Sequence, residues 1–449
     1  MKLAEIAKEA NGELRRREDV LVTHLCTDTR ETQPGDLFIA IKGDRFDGAD
    51  FASEAKNKGA FVLSSRPDLC DIFHHDSHEA LLSFASNYIK NLPYILYKIG
   101  ITGSVGKTTT KEFAKILLSE AFTTHASSGN FNNEIGLPLS ILSAKKDTQI
   151  LLMEMGMNGQ GEISRLSKCL RPDIALITNI GTAHIGKLGS REKIAKAKLE
   201  VLDGMRGGVL IAPFEEILLH DIKEKECFSL KSRSADYYIE DTDNGHYPVY
   251  KNGGLFCEAA FSLTEEHHKY CMLAACAIAI KSGISPNQLS IGIAKISRDN
   301  IRQTAFFAEK YHFHNDCYNA SRESMLSAIN EFQKVDFEGK RSMALGDILE
   351  LGAMSDEIHF EIGRAILEDR TNNLFLFGDA AEKIGLGAIE NGFPRERIFI
   401  NRNTDAPEIT AKQIKSHCSA GEHILLKASR AVRLERVLNY FDGVKEKNG

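Results

Sequence analysis

The 449-residue chain has no basic excess: 56 Lys and Arg stand against 62 Asp and Glu, a formal net charge of -6. No surplus of cations exists to neutralise phosphates, so duplex nucleic acid is excluded as the main partner. The run Arg15-Arg16-Arg17 sits between Glu13 and Glu18-Asp19 and reads as a solvated face. Long apolar runs are also missing. The longest, near Cys271–Ile280, is too short to cross a bilayer, and the N-terminus (Lys2, Glu5, Lys8, Glu9) lacks the apolar core of a signal peptide. The nine cysteines are scattered, odd in number and form no CxxC pair, which argues against a disulfide framework or a thiolate zinc site. No Ser-His or Cys-His nucleophile stands at a recognisable spacing, and no repeat or low-complexity stretch is evident. A cytosolic protein with reduced thiols, no nucleic-acid partner and no membrane span is expected. Its balance of 43% hydrophobic and 26% charged residues excludes a largely disordered chain.

At roughly 150 residues per domain the length predicts about three domains. The first is expected over residues 1–92, with strands at Val20–Cys26, Leu37–Ile41 and Phe61–Ser64 and a helix at Ala49–Lys58. Its turns, Thr27-Asp28-Thr29-Arg30 and Gly43-Asp44-Arg45-Phe46-Asp47-Gly48, read equally well as ligand loops or as ordinary turn chemistry. The second is expected over residues 93–299. Candidate strands Lys98–Thr102, Thr148–Met153, Asp173–Thr178 and Gly208–Ala212 alternate with helical stretches, the rhythm of a mostly parallel, helix-covered sheet. Asn244-Gly245 and Asn252-Gly253 signal hairpin turns, and a helix is expected near His268–Lys281. The third, residues 300–449, repeats the alternation at Ser342–Leu345, Asn373–Phe377, Arg397–Ile400 and His423–Leu426. The expected fold class is α/β in three domains: a small α/β N-terminal domain, a central P-loop domain with a doubly wound, mostly parallel sheet, and a Rossmann-like C-terminal domain.

The strongest motif is Gly100-Ile-Thr-Gly103-Ser-Val-Gly106-Lys107-Thr108-Thr109, placed after a strand and before a helix. In that context a glycine loop wraps a polyphosphate with its amides. Lys107 would neutralise phosphate charge and the Thr108 hydroxyl would ligate Mg²⁺. The glycines stand as Gly103-x-x-Gly106, a variant of the usual spacing. Glu154 interrupts an apolar run just before Gly156. A strand-buried carboxylate needs a cation or a donor beside it. The strand Asp173–Thr178 leads to His184, which at the end of a parallel strand would face the same crevice. Arg191–Met205 reads as an amphipathic helix with Lys193, Lys196, Glu200 and Asp203 on its polar face. Lys198 falls on the apolar stripe instead. Either it snorkels outward, or it is buried as a neutral amine able to add CO₂ and become an anionic carbamate.

Taken together, these residues resemble the ATP-dependent Mur ligases, the amide-forming enzymes of peptidoglycan precursor synthesis. The resemblance is carried by Thr102-Gly-Ser-Val-Gly-Lys-Thr-Thr109, Gly129-Asn-Phe-Asn-Asn-Glu-Ile-Gly-Leu-Pro138, Glu154-Met-Gly-Met, Asn179-Ile-Gly-Thr-Ala-His184 and Ala197-Lys198-Leu-Glu200. Lys42-Gly-Asp-Arg-Phe-Asp-Gly48, Asp316-Cys-Tyr-Asn-Ala320 and Leu345-Gly-Asp-Ile-Leu-Glu-Leu-Gly352 are similar to the branch that joins D-alanyl-D-alanine to UDP-N-acetylmuramoyl-tripeptide. No Asp-Asn-Pro-Arg motif, typical of the branch that adds the third residue, is present.

The resemblance implies a set of site residues. Thr29, Arg30, Phe46, Asp47 and Gly48 would bind the UDP-sugar. Gly103, Ser104, Val105, Gly106, Lys107, Thr108, Thr109, Asn133 and Glu134 would surround the phosphates of ATP. Thr108, Glu154, His184 and a carbamylated Lys198 would serve Mg²⁺. Arg302 would approach the γ-phosphate, and Asp316 and Asn319 would contact ATP. Lys107, His184, Lys198 and Arg302 would form the catalytic set, and Lys427, Ser429 and Arg430 stand where the family has Lys-Gly-Ser-Arg. Where family members usually carry His-Asn-x-x-Asn for adenine, this chain has His267-His268-Lys269-Tyr270-Cys271. The partners implied are UDP-N-acetylmuramoyl-tripeptide and D-Ala-D-Ala, acting on a monomer. The rivals are another ligase of the superfamily such as folylpolyglutamate synthetase, a P-loop small-molecule kinase, and a non-catalytic nucleotide-binding homologue. The roughly ninety residues before the P-loop count against the first rival. The Lys198 helix and last domain count against the kinase. The retention of Lys107, Glu154, His184 and Lys198 together counts against the last.

Overall fold

The computed structural model describes residues 1–15, 20–43, 46–240, 242, 245–263, 265–297 and 304–443. Three sheets organise them. The first has five strands in the order Glu13–Leu14, Ile72–Phe73, Phe61–Ser64, Leu37–Ile39, Leu25–Cys26, the last four parallel. The strand expected at Val20–Cys26 shrinks to Leu25–Cys26, because residues 20–23 spend their amides and carbonyls elsewhere. Leu3 N–H donates to Val20 O at 2.8 Å, Val22 N–H to Met1 O at 2.9 Å, and Thr23 N–H to Gly35 O at 3.0 Å.

The central sheet has nine strands. Across it run Gly254–Ala260, His246–Lys251, Tyr237–Ile239, Lys225–Ser229, Val209–Pro213, Ile174–Ile177, Tyr97–Thr102, Ile150–Glu154 and Thr124–Ala126. All neighbours are parallel except the hairpin His246–Lys251/Gly254–Ala260 and its pairing to Tyr237–Ile239. Asn252-Gly253 is the hairpin turn, as expected; Asn244 lies outside the described residues. Alternation along Ile150–Glu154 separates the two faces: Leu151 and Met153 join one apolar cluster, Ile150 and Leu152 the other. The second cluster takes in Cys271–Ile280, the longest apolar run, inside the helix Glu266–Lys281. A helix apolar all round must be buried, and this one packs beside Lys107–Leu118.

The third sheet runs Thr304–Ala308, Tyr311–Asn315, His423–Lys427, Arg341–Gly346, Leu374–Phe377, Ile398–Asn401, parallel apart from the edge hairpin Thr304–Ala308/Tyr311–Asn315. Strand order reverses between His423–Lys427 and Arg341–Gly346, so a crevice opens at their carboxyl ends. One apolar cluster runs through Leu82, Met153 and Leu345 and joins the three bodies. No helix among the described residues is long and apolar enough to cross a membrane.

In the third body two helices, Ser355–Arg364 and Glu382–Glu390, meet through glycines. A methyl on Gly363 would fall 2.0 Å from the Ile384 carbonyl oxygen. Gly363→Ala is expected to push the helices apart at a cost of about 1–3 kcal/mol. A urea titration monitored by circular dichroism checks this; an unchanged midpoint would refute the close approach.

Candidate active site

Tyr97–Thr102 lies between two parallel neighbours, Ile174–Ile177 and Ile150–Glu154. Their carboxyl ends leave the sheet on one side, and all three lead into one cavity of about 600 Å³. The middle strand runs into the glycine loop. Gly103 has φ +148°, and a methyl there would lie 1.8 Å from Thr178 Oγ1. Gly106, at φ +82°, starts the helix Lys107–Leu118. No side chain caps that helix and no acid stands in its first turn. Its open amides and dipole therefore offer an uncompensated anion site.

The next strand end holds the loop in shape. Asn179 Oδ1 accepts the amides of Ser104 and Val105, each at 3.0 Å, and Thr178 Oγ1 donates to Val105 O at 2.6 Å. Lys107 Nζ donates to Gly103 O at 2.7 Å. On the other side Glu154 is 2% exposed. Its Oε2 accepts the Thr108 hydroxyl at 2.6 Å and its Oε1 accepts Asn132 Nδ2 at 2.8 Å. This is a hard oxygen set with a single carboxylate. It fits Mg²⁺, which is commonly held by one or two carboxylates, waters and phosphate oxygens rather than an all-protein cage. No cluster of three or more His, Cys, Asp or Glu suited to a metal occurs among the described residues.

His184 lines the same cavity, and its Nδ1 lies 2.5 Å from Glu350 Oε2 of the third body. Burial pushes its pKa down against the pull of Glu350, and Lys107 and Lys198 push the same way. Lys198 resolves to the buried alternative. It is 2% exposed on the helix Arg191–Leu199, is not among the residues lining the cavity, and has no hydrogen-bond or ion-pair partner among the described residues. Burial, then the neighbouring Lys107, hold its pKa well below the ordinary lysine value. The expected polar face of this segment is partly consumed. Glu200 accepts the Gly161 and Ser164 amides and Asp203 accepts the Ser164 hydroxyl, tying the segment to the start of the helix Glu162–Leu170.

The third body closes the cavity. Asp316, Asn319, Lys427, Ser429 and Arg430 line it, with Lys427 Nζ 2.6 Å from Asp316 Oδ2. Asn133 and Thr109 also line it. Asn133 Oδ1 accepts the amides of Ile135 and Gly136. Glu134, expected at the phosphates, does not reach the cavity: it pairs with Arg165 at 2.6 Å, and burial raises its pKa. Gly103 is not among the residues lining the cavity. Arg302 lies outside the described residues. His267, His268 and Cys271 stand on the wall in the replaced adenine motif. The Cys271 thiol, pushed up to about 11 by burial, is no nucleophile at neutral pH.

The UDP-sugar candidates stand apart from this cavity, on the first body. Thr29 and Arg30 follow the strand Leu25–Cys26, and Phe46, Asp47 and Gly48 follow its parallel neighbour Leu37–Ile39, so both loops leave one end of the sheet. Arg30 pairs with Asp28 and Phe46 is 72% exposed. Asp47 accepts the Ala49 amide and Arg66 Nη2, the latter at 3.0 Å. Sequence reading missed Arg66, Asn132 as partner of Glu154, and the contact of Glu350 with His184. Each is long-range, and only the motif membership of Asn132 and Glu350 hinted at a role.

Residues 101–279 match the Mur ligase middle domain, and residues 21–93 match the Mur ligase family, catalytic domain. A UDP-N-acetylmuramoyl-tripeptide–D-alanyl-D-alanine ligase of Bacillus subtilis is 34% identical over 94% of this chain and 93% of its own length. The Escherichia coli protein of the same name is 29% identical over 97% of both. Among solved structures, MurF from Acinetobacter baumannii superposes with a TM-score of 0.85 at 26% identity over 97% of both chains. MurF from Thermotoga maritima in complex with ADP gives 0.79 at 28% identity over 94% of this chain and 97% of that one. With 94% of its length aligned to a relative 34% identical to it and its three strand ends arranged around a phosphate loop, the chain belongs to the Mur ligase family.

Proposed function

We propose that this chain is an ATP-dependent ligase that joins D-alanyl-D-alanine to UDP-N-acetylmuramoyl-tripeptide in the cytosol, during synthesis of the cell-wall precursor. One observation carries the reading: the uncapped phosphate loop, the Thr108–Glu154 pair and His184 share one cavity, in a chain that aligns over 94% of its length with a relative named for this reaction. Residues 1–92 would hold the UDP-sugar through Thr29, Arg30, Phe46, Asp47 and Gly48. Residues 93–299 would hold the nucleotide, and residues 300–449 would close over it as part of a monomer.

A carboxylate and an amine do not condense in water without activation. The tripeptide's terminal carboxylate attacks the γ-phosphorus, ADP leaves, and an acyl phosphate remains. The D-Ala-D-Ala amine then attacks the acyl carbon, loses a proton and expels phosphate. Mg²⁺, when bound, neutralises the charge that develops on the phosphoryl oxygens. The chain's residues do the rest by position and charge. The amides at Gly106–Thr109 cradle phosphate, and Lys107 swings from the Gly103 carbonyl to the β- and γ-oxygens. Thr108, Glu154 and His184 would present ligand atoms to the metal, and Arg302, by the family resemblance, would approach the γ-phosphate. Asp316 and Asn319 contact the nucleotide from the closing body, which also excludes water from the acyl phosphate. Lys198, as a neutral amine, adds CO₂ with loss of a proton, and the resulting carbamate supplies a negative charge beside Lys107 and His184.

Purified protein is expected to release phosphate from ATP only when UDP-N-acetylmuramoyl-tripeptide and D-Ala-D-Ala are both present. Release with a folate and glutamate instead, or none with the correct pair, would overturn the assignment. Lys107→Ala should abolish turnover, by at least about 100-fold, with an unchanged melting temperature; retained turnover would remove Lys107 from the phosphate site. Lys198→Ala should lose activity and regain part of it with millimolar acetate or formate standing in for the carbamate. Absence of rescue would count against carbamylation.

A further inference from the structure

Three carboxylates of the third body reach into the central one. Glu323 accepts the Thr182 amide at 2.9 Å and its hydroxyl at 3.2 Å. Glu331 meets His267 Nδ1 at 2.5 Å. Glu350 meets His184 Nδ1 at 2.5 Å, with Lys187 Nζ 3.5 Å from its other oxygen. The third contact is built with unusual tightness. His184 and Glu350 both occupy the left-handed region, at φ +64° and +65°, where a residue with a Cβ is strained. Beside them the Gly186 amide donates to Glu350 O at 3.0 Å, and a methyl on Gly186 would lie 2.5 Å from that same oxygen. Backbone contact of this closeness fixes where Glu350 can place its carboxylate. A merely adhesive ion pair needs no such strain.

An ionised carboxylate only accepts hydrogen bonds, so the proton at this contact belongs to His184 Nδ1. In the neutral ring Nε2 is then the nitrogen with the lone pair, and it has no hydrogen-bond partner among the described residues. A histidine whose one nitrogen donates to a carboxylate while the other stays open is arranged as a metal ligand with an outer carboxylate behind it. We propose that Glu350 is a positioning residue which sets the tautomer and ring orientation of His184, so that the ligand nitrogen is presented to the nucleotide-bound divalent ion only when the third body has closed. This rests on the reading of His184 as a metal ligand given above. It makes the ligand set of the central body depend on a side chain from another body. An open molecule would then bind the metal–nucleotide complex weakly and would not transfer phosphate before water is shut out.

The test uses the full chain labelled with ¹⁵N-histidine, with His184→Gln to identify the His184 signals. In the parent protein His184 should show the Nδ1–H tautomer. Glu350→Ala should convert it to a mixture and weaken Mn²⁺ binding to the ADP complex about 10–100-fold, with metal-free ADP affinity unchanged. Glu350→Gln keeps an acceptor oxygen and should restore the tautomer and most of the Mn²⁺ affinity, which also guards against misfolding of the alanine variant. Glu323→Ala removes a docking contact without touching the ring and should leave the tautomer unchanged. An unaltered tautomer or Mn²⁺ affinity in Glu350→Ala would overturn the proposal, as would equal losses in Glu323→Ala. Neither readout needs the peptide substrates. A protein that passes them yet forms no amide would fail the proposed function alone; one that forms amide and fails them would fail only this inference.

Discussion

A carboxylate at the end of an apolar strand must be given donors, and Glu154 is where this protein meets that constraint. Its strand lies inside a parallel sheet covered on both faces, where an unpaired charge would be prohibitive. The Thr108 hydroxyl and the Asn132 amide supply the donors. Thr108 comes from the first turn of the helix behind the phosphate loop, and Asn132 from the segment after Thr124–Ala126. One buried charge thus ties together two neighbouring connections of the sheet. Its backbone amide is held as well, by Ser127 Oγ at 3.1 Å, and Lys111, itself fully buried, donates to the Ser127 carbonyl at 2.5 Å. The backbone of Glu154 is therefore held by groups that do not line the cavity, while its carboxylate is held by Thr108 and Asn132, which do.

The opposite charge is arranged less comfortably. Lys107, His184 and Lys198 crowd one corner, and Lys198 has no partner among the described residues. The helix beginning at Lys107 adds its own positive end with neither a cap nor an acid to offset it. Such a corner is poor for stability, since like charges and desolvation both oppose ionisation. It becomes favourable when a polyanion enters, and a ligand worth several charges is what a nucleotide triphosphate supplies.

The third body answers with acids. Glu323, Glu331 and Glu350 each find a donor on the central body, while Lys427 and Arg430 add cations to the cavity wall. Closure is thus polar at the rim and apolar beneath, where the cluster through Met153 and Leu345 is continuous. Polar contacts of this kind, partly exposed to water, are individually weak.

Local chemistry determined much by itself. The strand–glycine loop–helix order marked Gly103–Thr109, interruption of an apolar run marked Glu154, and helical periodicity marked Lys198 as the residue on the wrong face. The alternation of strands and helices marked three α/β bodies. These features were readable because each depends on residues a few positions apart. Contacts between distant segments were not. Periodicity left open whether Lys198 snorkels or is buried; packing of its helix closed that alternative. A motif placed Glu134 at the phosphates, while Arg165, thirty-one positions away, took its carboxylate elsewhere. Glu200 and Asp203 looked like solvated charges until another helix presented its open amides to Glu200 and a serine hydroxyl to Asp203. The meeting of Glu350 with His184 joins residues 166 positions apart. No local pattern encodes such a pair, because it forms only when the packing of the second body against the third brings two strained loops within hydrogen-bond reach.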